Sequence, residues 1–258
     1  MHFSHQCASL QAKTFQMRQH IYTICLFLFC TVFSARAQST AFVLGGGPTI
    51  GSQRWDNTFE RDPLFKYHFV ISAESVDNEE DKASVFAQLG YHVKGSATRF
   101  RYFVPGGNDI TYKEEFLFQN LGLLLGAKQK FPVNPVTRLF YAGGIRGEYT
   151  LNTNLDELND NNPYSVTYYP QDEFVRKFIF GVSVGGGTEW MLSELVGAQL
   201  TFWVHPDVTL QYSQPPIPNV IDPNNPGVVT SIPERRIRNI ALEITLGLRL
   251  LRKVEYVD

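Results

Sequence analysis

The sequence has 258 residues, and from position 38 onward it contains no cysteine: its three, Cys7, Cys25 and Cys30, all precede Gln38. A disulfide framework, a thiolate metal site and a cysteine nucleophile are thereby excluded from that region. Nor is there an excess of positive charge. Lys+Arg number 23 and Asp+Glu 25; setting aside Lys13, Arg18 and Arg36 leaves 20 against 25, a formal charge of 20 − 25 = −5 for residues 38–258. A weakly acidic chain lacks the electrostatic footprint of a nucleic-acid binder, so no nucleic-acid partner is expected. Beyond residue 37 no run approaches 18 consecutive apolar residues, so no transmembrane helix is expected there.

The first 37 residues read as an export signal. Ile21 to Phe33 is an apolar run, preceded by Lys13 and Arg18 and followed by Ala35-Arg36-Ala37 before Gln38. A basic region, a short apolar core and a small-x-small cleavage site define a secretory signal peptide. The run falls short of the about 20 apolar residues a membrane anchor needs. Met17 would begin a compact signal ending at Ala37 and is the expected translation start; residues 38–258 are then a single exported domain.

That domain is dominated by alternation of period two, the mark of strands with two unlike faces. The clearest segment places Ile240, Leu242, Ile244, Leu246, Leu248 and Leu250 on one face and Asn239, Ala241, Glu243, Thr245, Gly247 and Arg249 on the other. Its apolar row extends roughly 33 Å at about 3.3 Å per residue. Tilted near 45° it covers about 24 Å, close to the ~25 Å apolar band of an outer-membrane barrel. Segments 41–51, 65–75, 83–93, 116–128, 139–151, 177–190 and 196–205 follow the same grammar, giving eight strands in all.

The expected links alternate in length. Residues 52–64, 94–115, 152–176 and 206–236 form long links, whereas 76–82, 129–138 and 191–195 form short ones. Outer-membrane barrels have this asymmetry, with tight turns toward the periplasm and long loops outside. Proline agrees: Pro48 alone falls inside an expected strand, as suits a residue that cannot donate to a ladder.

Alternation does not say which face is wet. In a soluble lipocalin-like carrier the apolar side chains point inward; in a membrane barrel they point outward. Here the apolar face is uniformly bulky, while the opposite face is rich in glycine and small polar residues, as the narrow interior of eight strands requires. Phe65, Tyr67, Tyr91, Phe116, Phe118, Tyr141, Tyr149 and Trp190 stand near strand ends and are expected in interfacial aromatic girdles. The fold class is therefore an all-β, eight-stranded antiparallel up-and-down transmembrane β-barrel, located in an outer membrane, with Ile240, Leu242, Ile244, Leu246, Leu248 and Leu250 facing lipid.

Its inward charges must find partners or lose their charge. Glu74, Lys128, Glu189 and Arg249 fall near the periplasmic ends, and Arg146, Glu148 and Glu243 nearer mid-height. The expected network pairs Arg146 with Glu243 or Glu148, and Arg249 with Glu189, and plugs the lumen.

Several segments resemble one family. The signal ending Ala35-Arg36-Ala37-Gln38, Gly45–Gly51 (GGGPTIG), Phe131–Tyr149 (FPVNPVTRLFYAGGIRGEY), Gly181–Leu192 (GVSVGGGTEWML) and Arg238–Leu251 (RNIALEITLGLRLL) look like the small outer-membrane β-barrels of the PorT-like group. The resemblance implies an eight-stranded barrel of a Gram-negative outer membrane, and for some members a link to protein secretion and surface assembly. The ending Glu255-Tyr256-Val257-Asp258 departs from the terminal aromatic of many such barrels.

Residues with chemical potential have plainer readings. Gly181-Val182-Ser183-Val184-Gly185 matches a nucleophile elbow, but that motif needs a strand, a sharp turn and a helix, whereas here the alternation continues. Gly45-Gly46-Gly47 lacks the Gly-Lys-Ser/Thr of a phosphate loop. His68, His92 and His205 face inward and read as polar lining before they read as a three-histidine metal site. Asp156, Glu157, Asp160, Asp172 and Glu173 do not have EF-hand spacing. No metal, cofactor or catalytic residue is expected. The expected function is a non-enzymatic barrel with a structural, adhesive or secretion accessory role, contacting outer-membrane lipid and, through loops 152–176 and 206–236 (Tyr164, Tyr168, Tyr169, Ile217) or periplasmic turns, partner proteins. The alternatives are an outer-membrane lipid-modifying hydrolase built on His205 and Asp207 at the rim, and the soluble carrier.

Overall fold

A computed structural model describes residues 39–56, 61–76, 82–102, 107, 110–160, 170–222, 225 and 227–253. The expected signal peptide and Met17 start, residues 254–258, and Tyr164, Tyr168 and Tyr169 lie outside the described residues. In chain order the elements are β1 (Ser39–Trp55), β2 (Asp62–Val76), β3 (Ala83–Tyr102), β4 (Ile110–Asn134), β5 (Thr137–Thr153), a short helix Leu155–Asp160, a 3₁₀ turn Asp172–Phe174, β6 (Phe178–Met191), β7 (Val196–Pro206), β8 (Tyr212–Gln214), β9 (Ile217–Ile221), β10 (Val229–Ile232) and β11 (Arg235–Lys253).

Eight of these strands form a ring. Each of β1 to β6 pairs antiparallel with the next, β7 pairs with β11, and β11 closes onto β1. The closing seam runs from Ser39 opposite Lys253 to Trp55 opposite Ile237. Closure removes the free edges that a sheet cannot expose in lipid. Among the described residues no helix is long and apolar enough to cross a membrane; the chain crosses with strands.

The strands outrun the expected segments. The links read from sequence as 94–115 and 129–138 are largely strand: β3 and β4 continue as a ladder to Tyr102 opposite Ile110, and β4 and β5 reach Asn134 opposite Thr137. Prolines consequently enter strands near their ends, at Pro63, Pro132 and Pro206, besides Pro48. The long link between β7 and β11 is not irregular either, since β9 and β10 pair as a separate hairpin and β8 adds to β11. Two isolated bridges, Val175 to Tyr212 and Gly181 to Asp207, fasten these excursions over the mouth.

The sense of the alternation is that of a membrane barrel. Ile240, Leu242, Ile244, Leu246, Leu248 and Leu250 project outward and are exposed, as do Phe42, Leu44, Phe69, Leu123, Ile145 and Phe180. Phe65, Tyr67, Tyr141 and Tyr149 are exposed with them. An apolar exterior of this extent exceeds the patches that water-soluble monomers tolerate and matches a hydrocarbon surround. The interior is polar, which disfavours the soluble-carrier alternative. Two girdle assignments are corrected: Phe116 and Phe118 carry the inward parity of Asn120 and Lys128 and are buried in the barrel mouth.

Candidate functional site

The inward side chains stack in layers. At the end holding both described termini and the tight turns, Lys128 Nζ donates at 2.8 Å to Glu74 Oε2, at 2.8 Å to Glu189 Oε1 and at 3.3 Å to Gln199 Oε1. Lys130 Nζ lies 2.5 Å from Glu74 Oε1, which also accepts from Ser84 Oγ at 2.8 Å. Arg249 Nε is 3.9 Å from Glu189 Oε2, a long contact, because Lys128 already occupies the other oxygen of that carboxylate.

Above this floor lies an apolar layer of Phe86, Leu124, Phe140, Ala142 and Trp203. Glycines make room for it. A Cβ on Gly185 would stand 2.5 Å from the Trp203 ring, and one on Gly126 would stand 2.7 Å from Phe86. The layers are joined by Lys128 Nζ, 4.4 Å above the Phe140 ring, and by Trp203 stacked on His205 at 5.7 Å.

Glu243 sits at the centre of the next layer and collects all three histidines. His92 Nδ1 is 2.7 Å from its Oε1, His205 Nε2 is 3.2 Å from its Oε2, and His68 Nδ1 is 3.9 Å from Oε2. His68 also meets Thr49 Oγ1 at 3.0 Å and Thr245 Oγ1 at 2.8 Å, and His205 Nδ1 meets Ser183 Oγ at 2.7 Å. Sequence separation hid this convergence, since the four residues come from β2, β3, β7 and β11. Among the described residues no group of His, Cys, Asp and Glu has the arrangement of a metal site. Asp156 and Glu157 are exposed on the short helix, and Asp172 Oδ1 accepts from Thr153 Oγ1 at 2.5 Å.

Arg146 does not reach Glu243. It pairs with Glu148 at 3.0 Å and with Asp207. Lys94 Nζ donates to Glu148 Oε1 at 2.6 Å, Asn120 to Glu148 Oε2 at 2.9 Å and Asn239 to Asp207 Oδ2 at 2.8 Å. The rim pair of His205 with Asp207 is thus corrected: His205 turns to Ser183 and Glu243, and Asp207 is held by Arg146 and Asn239. Across the membrane-spanning lumen Lys94, Lys128, Lys130, Arg146 and Arg249 face Glu74, Glu148, Glu189, Asp207 and Glu243, all buried. Among the described residues of these layers five cations thus face five carboxylates, and Glu114 is buried in addition nearer the mouth. As lumen charges, Lys94, Lys130 and Asp207 escaped the sequence because each lay just outside an expected strand boundary; the same parity, continued two residues past His92, Lys128 and His205, marks all three.

The mouth is closed by an amide layer and an apolar cap. Gln53 Nε2 donates to Asn239 Oδ1 at 2.8 Å and Ser96 Oγ to Gln53 Oε1 at 2.7 Å. Over them pack Phe116, Phe118, Leu155, Val175, Tyr212 and Ile237, with Trp55, Leu158 and Phe174. Arg61 stacks its guanidinium 4.0 Å above Trp55 and 4.2 Å above Phe116. The Tyr212 hydroxyl donates to Gln214 Oε1 at 2.7 Å, and its burial pushes its pKa up to about 12. Ile217, expected on a contact surface, is half-buried in β9.

A closed ring of eight strands with a charge-paired, side-chain-filled interior and an apolar exterior defines an integral membrane β-barrel of the outer-membrane type. Similar solved structures include the outer membrane protein OprG from Pseudomonas aeruginosa (12% identity over 82% of this chain and 96% of that one, TM-score 0.47). Neisserial surface protein A (NspA) is similar at 10% identity over 83% and 96%, with a TM-score of 0.43, and the outer membrane protein W of E. coli at 14% over 82% and 98%, with a TM-score of 0.38. No protein-family model matches the sequence, and no curated protein does.

Proposed function

We propose that this protein is a non-conducting, non-enzymatic outer-membrane barrel whose working surface is its extracellular face, with an adhesive or assembly-accessory role. The observation that carries this reading is the filled lumen: salt bridges, an aromatic layer, the Glu243 layer, the Arg146 layer and the apolar cap place buried side chains at successive heights across it. Exposed residues of the excursions after β5 (Asp156, Glu157) and after β7 (the β9–β10 hairpin) offer the contact surface. The likeness of Gly45–Gly51 and Arg238–Leu251 to PorT-like barrels supports an accessory role in secretion or surface assembly, and protein partners would meet the excursions or the periplasmic turns.

Purified protein in a planar bilayer is expected to give no conductance steps; steps of pore size would contradict the reading. Cross-linking from the exposed β9–β10 hairpin in whole outer membranes is expected to capture envelope proteins. Recovery of the barrel alone would count against the accessory role.

One observation touches the hydrolase alternative. Ser183, His205 and Glu243 form a chain of contacts reminiscent of a Ser–His–acid triad: Ser183 Oγ meets His205 Nδ1 at 2.7 Å, and His205 Nε2 lies 3.2 Å from Glu243 Oε2. Ser183, however, is fully buried in mid-β6, between the aromatic and Arg146 layers, where no substrate reaches it. The chain reads as lumen packing, and no ester hydrolysis is expected.

A further inference from the structure

We propose that the outward face of the β1–β11 seam, at its extracellular end, binds the phosphate of an anionic lipid between Arg54 and Arg238. The inference rests on the lipid-facing exterior and is independent of what the loops contact. Arg54 and Arg238 are direct register partners across the seam, and both are exposed. Like charges directly opposite one another on a sheet face repel. Two other exterior arginines are paired with a carboxylate: Arg99 lies 3.1 Å from Asp62, and Arg236 lies 2.7 Å from Glu234. Among the described residues, Arg54 and Arg238 have no carboxylate partner.

Their height gives the ligand class. Arg54 and Arg238 stand one outward rung above Ser52 opposite Ile240, which in turn stands above Ile50 opposite Leu242. Two residues along a strand span about 7 Å, so the guanidiniums lie at headgroup depth when Ile240 and Leu242 lie against acyl chains. Beside them Pro206 is the β7 partner of Ile240, and Val208 beyond it is exposed. The site is therefore a cationic pair on an apolar floor. Guanidinium forks match phosphate oxygens bidentately, so one phosphate relieves the repulsion of both arginines while its acyl chains continue down the Ile240 column. A soluble anion would gain nothing from that floor.

The test is native mass spectrometry of the whole barrel in neutral detergent, titrated with phosphatidic acid or with phosphatidylcholine. The wild-type protein is expected to prefer phosphatidic acid. Combining Arg54→Ala with Arg238→Ala should weaken its binding by about thirtyfold, taking each arginine at its usual surface contribution, and leave phosphatidylcholine unchanged. Arg238→Glu, which gives Arg54 a carboxylate partner and restores opposite charges across the seam, should lose the lipid equally. Arg252→Ala, exposed at the other end of β11, should have no effect. The proposal is overturned if the double variant, folded by its heat-modifiable gel mobility, keeps its phosphatidic acid affinity within twofold. It is overturned equally if inorganic phosphate displaces the lipid at comparable concentration.

Discussion

Glu243 is the side chain on which the interior turns. It is the one carboxylate of its layer, it is almost fully buried, and three imidazoles approach it. Removing one partner from a buried charge network costs far more than the pair contributes, because the remaining charges lose their compensation. Glu243→Gln, which takes the carboxylate from the layer where three imidazoles meet, is expected to destabilise the barrel by about 3 kcal/mol. Urea unfolding in lipid vesicles measures it, and an unchanged midpoint would show the balance to be irrelevant. Tyr212 provides a second test, outside the membrane. Its ordinary value near 10 rises to about 12 in the folded cap. The unfolded phenol ionises first, so the cap's stability is intact below pH 10 and falls progressively between pH 10 and 12. Tyrosinate absorbance at pH 11 should be nearly the same for native wild-type protein and for Tyr212→Phe, since only about a tenth of Tyr212 is ionised there; a loss equal to most of one tyrosinate in the variant would contradict the burial.

Strands β4 and β6 act as the trough into which the aromatic layer is pressed. Gly185 is held on one side by the Phe202 carbonyl oxygen, 2.4 Å from the position of a Cβ, and on the other by the Trp203 ring. Neither can yield without breaking the β6–β7 ladder or displacing the layer. Gly185→Val is therefore expected to cost about 3 kcal/mol, at the upper end of overpacking, and to raise tryptophan fluorescence anisotropy changes at Trp203; a neutral effect would mean that the trough is not filled. The strands themselves were legible because Ile240–Leu250, Phe178–Val184 and Val196–Val204 alternate without interruption. Their ends were not. At Lys94, Lys130 and Phe116 alternation continues, but with charged residues on the lumen face or aromatics beyond the apolar band, and composition alone looks like loop. The β9–β10 hairpin escaped reading because Pro216 and Pro233 flank it, Pro218 lies within β9 and Pro223 and Pro226 lie between its strands, and the convergence on Glu243 escaped because it is created by ring closure, which brings side chains of β2, β3, β7 and β11 together in one lumen.

The whole molecule is a tube turned inside out relative to a water-soluble one, and its closure follows from the same alternation that sets its polarity. The inward face fills with paired charges because eight strands leave no room for water to solvate them singly, and the outward face needs only to be apolar and continuous. The absence of cysteine from the described residues makes the most direct test practical. A spin label introduced through Leu246→Cys, with Thr230→Cys in the exposed β10 as reference, reports whether each site collides with membrane-dissolved oxygen or with a water-soluble nickel chelate. For protein reconstituted in vesicles, the label at 246 is predicted to be accessible to oxygen and shielded from the chelate, and the label at 230 the reverse. Chelate access at 246, or a protein that remains monodisperse without detergent while 246 is shielded from both, would contradict the account.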